Sequence, residues 1–158
     1  MKQPILLVED DENDVFFFKR AVEKAGISHP LQIARDGQEA IDYISGLQPF
    51  ENGVKCPLPA LIILDLNLPR CRGTEVLRWL RNSRNGRLAV VVILTSSANE
   101  RDVAEAYDLG VNSYLVKPRD PDELVRMVSL LKSYWLDTNY SPIAPGLGSG
   151  LDAGAFPQ

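Results

Sequence analysis

The chain has 158 residues, 45% hydrophobic and 24% charged, which is enough to bury one core without covalent or metal staples. A formal net charge of −4 and the lack of a basic stripe argue against a nucleic-acid surface. The opening MKQPILLVEDDE runs into acids after four apolar residues, too short for a signal peptide or a membrane span.

Ile5–Val8 is the first apolar run and is expected to be a buried strand. The acids Glu9, Asp10, Asp11 and Glu12 follow it. Asp14–Ala25 has helical spacing, with Val15, Phe18, Ala21, Val22 and Ala25 on one face. Leu31–Ala34 reads as a second strand and Gln38–Ile44 as a second helix. Gly46–Pro59 is a long connection with Pro and Gly, either an ordered excursion or a loose loop. Leu61–Leu64 is a third strand, ended by Asp65, and Thr74–Leu80 a third helix. Val90–Leu94 is a fourth strand, ended by Thr95. Arg101–Leu109 is a fourth helix, with Gly110 where a helix C-terminus favours glycine. Ser113–Val116 is a fifth strand, followed by Lys117 and Pro118. The last helix opens on Asp120 as cap and Pro121 in the first turn, with Leu124, Val128, Leu131 and Trp135 facing inward. From Ser141 the chain is aperiodic and rich in Gly and Pro, so residues 1–140 are expected to form one domain and 141–158 a flexible tail. Five strand–helix alternations argue for an α/β, doubly wound sheet of five parallel strands. Cys56 and Cys71 fit no ligand spacing; two free thiols suit a reducing, cytoplasmic setting.

In such a sheet, ligands collect beyond the carboxyl ends of the strands. Glu9 and Asp10, Asp65, Thr95 and Lys117 come from four of those ends. Each has an ordinary structural reading: acids favour a helix N-terminus, Asp a turn, Thr a strand, Lys a surface ion pair. Together, several carboxylates at the mouth of a buried strand repel one another unless a cation joins them. Mg²⁺ is the expected ion, since it takes oxygen ligands and leaves room for a phosphate oxygen. Asp65 is then a carboxylate nucleophile able to form an aspartyl phosphate. Lys117 and Thr95 are suited to hold the phosphoryl oxygens.

The segments LLVEDD, LIILDLNLPRCRG, VVILTSS and SYLVKP resemble the signatures of the receiver domains of two-component response regulators, in order from about Ile5 to Leu136. The resemblance implies a flavodoxin-like sheet of order 2-1-3-4-5 flanked by five helices. It implies phosphorylation of Asp65, a metal held directly by Asp10 and through water by Glu9, and the Asn67 carbonyl as a further ligand. Glu9 replaces the commoner Asp, but an acid remains. The resemblance also implies a cis Lys117–Pro118 bond, a small residue at Ser96 to admit the phosphoryl group, and a coupled switch of Thr95 and Tyr114. Asn67 and Ser97 stand where the family tunes hydrolysis.

With no DNA-binding or catalytic domain expected after the fold, output is expected through protein contacts, to a downstream partner the sequence does not name. The donor is expected to be a separate histidine kinase; His29, beside Pro30 in a turn, reads as a surface residue. The stretch DGQEAIDYISGL with its long loop, and LKSYWL, resemble phytochrome-associated regulators, which implies a phytochrome-type kinase. Phe16, Phe17 and Phe18 cannot all face one core; Phe18 belongs inside, and Phe17 is expected to be exposed for kinase docking. Met127, Leu130 and Tyr134 widen the last helix's apolar stripe, and with the family resemblance they suggest a homodimer through the fourth and fifth helices and the fifth strand. Neither nucleic acid nor membrane is expected as a partner, and no enzymatic activity beyond the protein's own phosphorylation and dephosphorylation.

Three rival readings share parts of this pattern. A flavodoxin-type carrier needs a hydroxyl-rich phosphate loop where this chain has acids. A haloacid-dehalogenase-like phosphatase using Asp65 as nucleophile needs a second carboxylate where Asn67 stands. A degenerate receiver acting only as a binding module would lack the acceptor or an acid, and none is missing.

Overall fold

The structure, a computed structural model, describes residues 2–46 and 57–142. The central feature is a parallel sheet whose strands are β1 (Ile5–Val8), β2 (Leu31–Ala34), β3 (Leu61–Leu64), β4 (Val91–Thr95) and β5 (Ser113–Val116), in the order β2-β1-β3-β4-β5. Between and after them run α1 (Glu12–Lys24), α2 (Gly37–Ser45), α3 (Gly73–Asn82), α4 (Glu100–Asp108) and α5 (Pro121–Leu131). Fold class and strand order are as expected.

Strand residues alternate between the two faces of the sheet, and both faces are covered. Ile5, Leu7, Ile63, Val92 and Leu94 pack with Val15, Phe18, Val22, Val128 and Leu131, under α1 and α5. Leu6, Val8, Ile62, Leu64, Val91 and Ile93 pack with Ala40, Ile44, Val76, Leu77, Leu80 and Ala106, under α2, α3 and α4. Burial on both faces is why the three central strands β1, β3 and β4 read as nearly continuous apolar runs. Full burial of one such side chain contributes about 1.5–3 kcal/mol before conformational entropy is counted.

Local chemistry sets the element ends. The Asp11 carboxylate accepts from the N–H groups of Asn13 at 2.8 Å and Asp14 at 3.0 Å, starting α1. Asp120 accepts from Asp122 N–H at 3.0 Å, with Pro121 in the first turn of α5. Gly110, at φ 88°, ends α4 in the left-handed region that glycine tolerates.

The last helix departs from the expected regular stripe. After Leu131 it loosens into a π-turn, Lys132–Leu136, in which Asp137 N–H donates to Lys132 O at 3.0 Å, five residues back. Ser129 and Ser133 donate their hydroxyls to the carbonyls four residues earlier, at 2.8 and 2.9 Å, a pattern that bends helices. Trp135 still packs against the α1–α5 core. Cys71 is a free thiol. Cys56, most of the Gly46–Pro59 connection, and the tail beyond Pro142 lie outside the described residues. Among the described residues, no helix is long and apolar enough to cross a membrane.

Candidate functional site

Register alone brings the key residues together. Val8 is paired with Leu64, so the next residues, Glu9 and Asp65, leave neighbouring strands side by side. Thr95 is paired with Val116, so Lys117 emerges one residue beyond Thr95, its N–H donating to Thr95 O at 2.8 Å. Gly73 allows the connection after β3 to fold back: its N–H donates to Leu66 O at 3.0 Å. A Cβ there would lie 2.2 Å from Asp65 O, so a side chain at 73 would force the backbone under Asp65 to move.

The Lys117 ammonium sits among three carboxylates: Glu9 Oε2 at 2.6 Å, Asp14 Oδ2 at 2.7 Å and Asp65 Oδ2 at 2.8 Å. The second oxygens of two of these acids are held by loop amides. Asp11 N–H donates to Glu9 Oε1 at 3.0 Å, and Asn67 N–H to Asp65 Oδ1 at 3.2 Å. Both acids are buried, whereas Asp10 is exposed. Glu9, Asp10 and Asp65 each present a carboxylate oxygen within 4.8 Å of the others. An all-oxygen, multiply charged set of this kind fits a hard divalent cation.

Electrostatics agree with the packing. Burial pushes the Glu9 carboxyl up to about 7, against the hydrogen bonds from Lys117 and Asp11 N–H and with help from the Asp65 charge. Burial alone would lower the Lys117 pKa, but its bonds to Asp14, Asp65 and Glu9 outweigh that and hold it above the ordinary lysine value.

Thr95 is fully buried, and its hydroxyl has no hydrogen-bond partner. Burying a hydroxyl unpaired is costly. It stands at the strand end beside Lys117. Tyr114, on the adjacent strand, is two residues from the one opposite Thr95 and is half-buried. Its hydroxyl donates to Ser97 O at 2.9 Å, and Ser97 Oγ donates to Asp102 Oδ2 at 2.5 Å. Exposed Ser96 lines the cleft that leads past Glu9 and Lys117.

Glu9, Asp10, Asp65, Thr95 and Lys117 are thus gathered at one edge, with Asn67 contributing its amide. One expectation needs correcting. No cis peptide occurs among the described residues, so Lys117–Pro118 is trans; the trans form of an X–Pro bond is intrinsically favoured by about 0.5–1 kcal/mol, and Lys117 reaches all three acids with it. Phe17 is exposed as expected, at 37%, and Phe18 is buried at 3%, although Phe16 is more exposed still, at 59%. Phe17 lies over the cleft with Asp14, Lys117 and Pro118, which covers part of its ring. Sequence reasoning also missed Asp14. The available signal was its place at the third position of α1: helical side chains lean towards the N-terminus, so a first-turn residue overhangs the strand end.

The family described as the response regulator receiver domain matches residues 5–129. The chain is 41% identical over 140 residues to Response regulator Rcp1 of Synechocystis sp., covering 89% of this chain and 93% of that protein. The manganese-bound structure of Rcp1 gives a TM-score of 0.77 at 39% identity, covering 89% of this chain and 99% of that one. The phosphorylated cyanobacterial phytochrome response regulator RcpA gives 0.80 at 34% identity, covering 90% and 99%. The probable methanogenesis regulatory protein FilR2 of Methanothrix harundinacea is 41% identical over 138 residues, covering 87% and 86%. None of these supports the phosphatase alternative.

Proposed function

The chain belongs to the response regulator receiver family, and on that premise we propose that it works as a phosphorylation switch whose acceptor is Asp65. The observation that carries this reading is the Lys117 ammonium bridging Asp65 and Glu9 next to the unpartnered Thr95 hydroxyl.

A carboxylate oxygen of Asp65 attacks the phosphorus of a phosphohistidine; the new O–P bond forms as the P–N bond breaks, and the imidazole leaves with a proton from solvent. Lys117 gives up its bond to Asp65 for one to a phosphoryl oxygen. Thr95 donates its hydroxyl to another, gaining the partner it lacks at rest. Asn67 and Asp11 keep their amides on the acids and hold them in place. A divalent ion, Mg²⁺ in this proposal, would be held by Glu9, Asp10, Asp65 and the Asn67 carbonyl, and would supply charge neutralisation for the phosphoryl group. The manganese-bound Rcp1 structure and the oxygen-only donor set support a metal here.

Movement of Thr95 towards the phosphoryl group frees space beside it, into which Tyr114 turns after releasing Ser97 O. The phosphate contacts bias the equilibrium between these two packings. Output then passes by protein contact, without nucleic acid or membrane, from a cytoplasmic protein. The donor is a histidine kinase of phytochrome type, a reading that rests on the likeness to Rcp1 and RcpA. Phosphotransfer profiling tests it. Phosphorylated phytochrome-type kinases should label this protein faster than other histidine kinases do, and a preference for unrelated kinases would overturn the assignment.

A further inference from the structure

We infer that Asp14 is a positioning residue for Lys117, tethering its ammonium so that the charge stays directed at Asp65 before and after phosphorylation; this rests on the reading of Asp65 as acceptor.

A lysine ammonium has three N–H donors, and here three carboxylates take them: Glu9, Asp14 and Asp65. The three acceptors are not equivalent. Glu9 and Asp65 belong to the group that would hold a cation, and Asp65 is also the atom-bearing site of the reaction. Both must change partners when a cation binds or the phosphoryl group arrives. Asp14 stands outside that group. It comes from the first turn of α1, and its side chain is 44% exposed, unlike the other two. Its bond to Lys117 therefore persists through both events, while the other two are exchanged.

A lysine has four rotatable side-chain bonds, so an untethered ammonium loses much freedom in meeting a phosphoryl oxygen. Asp14 removes part of that cost in advance. It also ties α1 to the connection between β5 and α5, two elements packed on the same face of the sheet.

Asp11, not Asp14, caps α1, and as a first-turn acid Asp14 adds only about 0.3–1 kcal/mol to the helix end. Its removal should therefore leave the fold intact. Heteronuclear NMR of the lysine ammonium groups in the unphosphorylated full chain reads the tether directly. The Lys117 signal, identified by its loss in Lys117→Ala, should be protected from water exchange. In Asp14→Ala that exchange should accelerate roughly tenfold, and Asp14→Glu should restore most of the protection. With acetyl phosphate as donor, the maximal labelling rate of Asp14→Ala should also fall roughly tenfold, at unchanged half-saturating donor and unchanged thermal midpoint. If Asp14→Ala melts early, Asp14→Asn, which keeps the shape of the side chain, takes its place. Unchanged exchange overturns the tether. Faster exchange with an unchanged rate overturns the positioning role and leaves a surface ion pair. If the wild type takes no label, the acceptor reading has failed, while the exchange measurement still decides the tether.

Discussion

Thr95 and Glu9 are two buried polar residues of the site whose substitution gives distinct signatures. Thr95 Oγ1 is buried without a partner, so replacing the hydroxyl by a methyl of the same shape removes an unsatisfied group. Thr95→Val should therefore raise resting stability by about 1 kcal/mol, seen as a higher urea midpoint at constant slope, while blunting the conformational response to beryllofluoride. Lower stability with a full response would mean that the hydroxyl is structural. Glu9, pushed up to about 7 by burial, keeps a proton that the unfolded chain, near 4.5, has released. Between those values the folded state binds more protons, so the metal-free protein should lose stability as pH rises from about 4.5 to about 7. Metal and proton compete for the same carboxylate, so divalent affinity should follow the opposite course. Titration calorimetry should find it roughly tenfold weaker per unit below pH 7 and flat above. Glu9→Gln should flatten the profile; an unchanged slope in that variant would assign the titration elsewhere.

At the scale of elements, the sequence was most legible where one signal dominates. β1, β2, β3 and β5 begin and end where expected: β1 and β3 because burial on both faces demands unbroken hydrophobicity, the edge strands β2 and β5, which carry Gln32 and Ser113, on mostly apolar runs that are only partly buried. β4 runs one residue later than its apolar run, because Thr95 keeps its ladder pairing with Val116. The π-turn after α5 was not legible, since the apolar stripe continues in helical spacing to Trp135 while the serine back-bonds that accompany the turn leave no periodic signal. Glu9, Asp65, Thr95 and Lys117 were legible as strand-end residues. Asp14 was hidden because it lies inside α1 rather than at a strand end, where a first-turn acid already has a reading as a helix N-terminal charge. Within α1, Phe16 and Phe17 meet edge to face, their centroids 5.4 Å apart, so an exposed ring supports the half-covered one by the cleft. Phe17→Ala should slow transfer from the kinase about tenfold while sparing acetyl phosphate labelling. Equal loss with both donors would instead indicate damage to the site.

At the scale of the whole molecule, the sheet edge at β5 leaves an apolar face beside α5. β5 ends the sheet, and the shallow groove beside it is lined by Leu115, Met127, Leu130, Tyr134 and Trp135. Leu130 is 72% and Tyr134 55% exposed, whereas Met127 is partly tucked into the core. The expected widening of the stripe therefore holds at two of its three positions. We propose that a second copy of the chain covers this face; a typical dimer would bury about 1,600 Å² in total. Light scattering at micromolar concentration should give a dimer mass for the wild type and a monomer mass for Leu130→Glu; a dimer in both would move the interface elsewhere. The switch itself rests on one event at one carboxylate. Acetyl phosphate labelling in Mg²⁺, followed by borohydride trapping and peptide mass spectrometry, tests it most directly. Label should appear on Asp65 alone and vanish in Asp65→Asn and in EDTA, whereas undiminished labelling of Asp65→Asn would contradict the account.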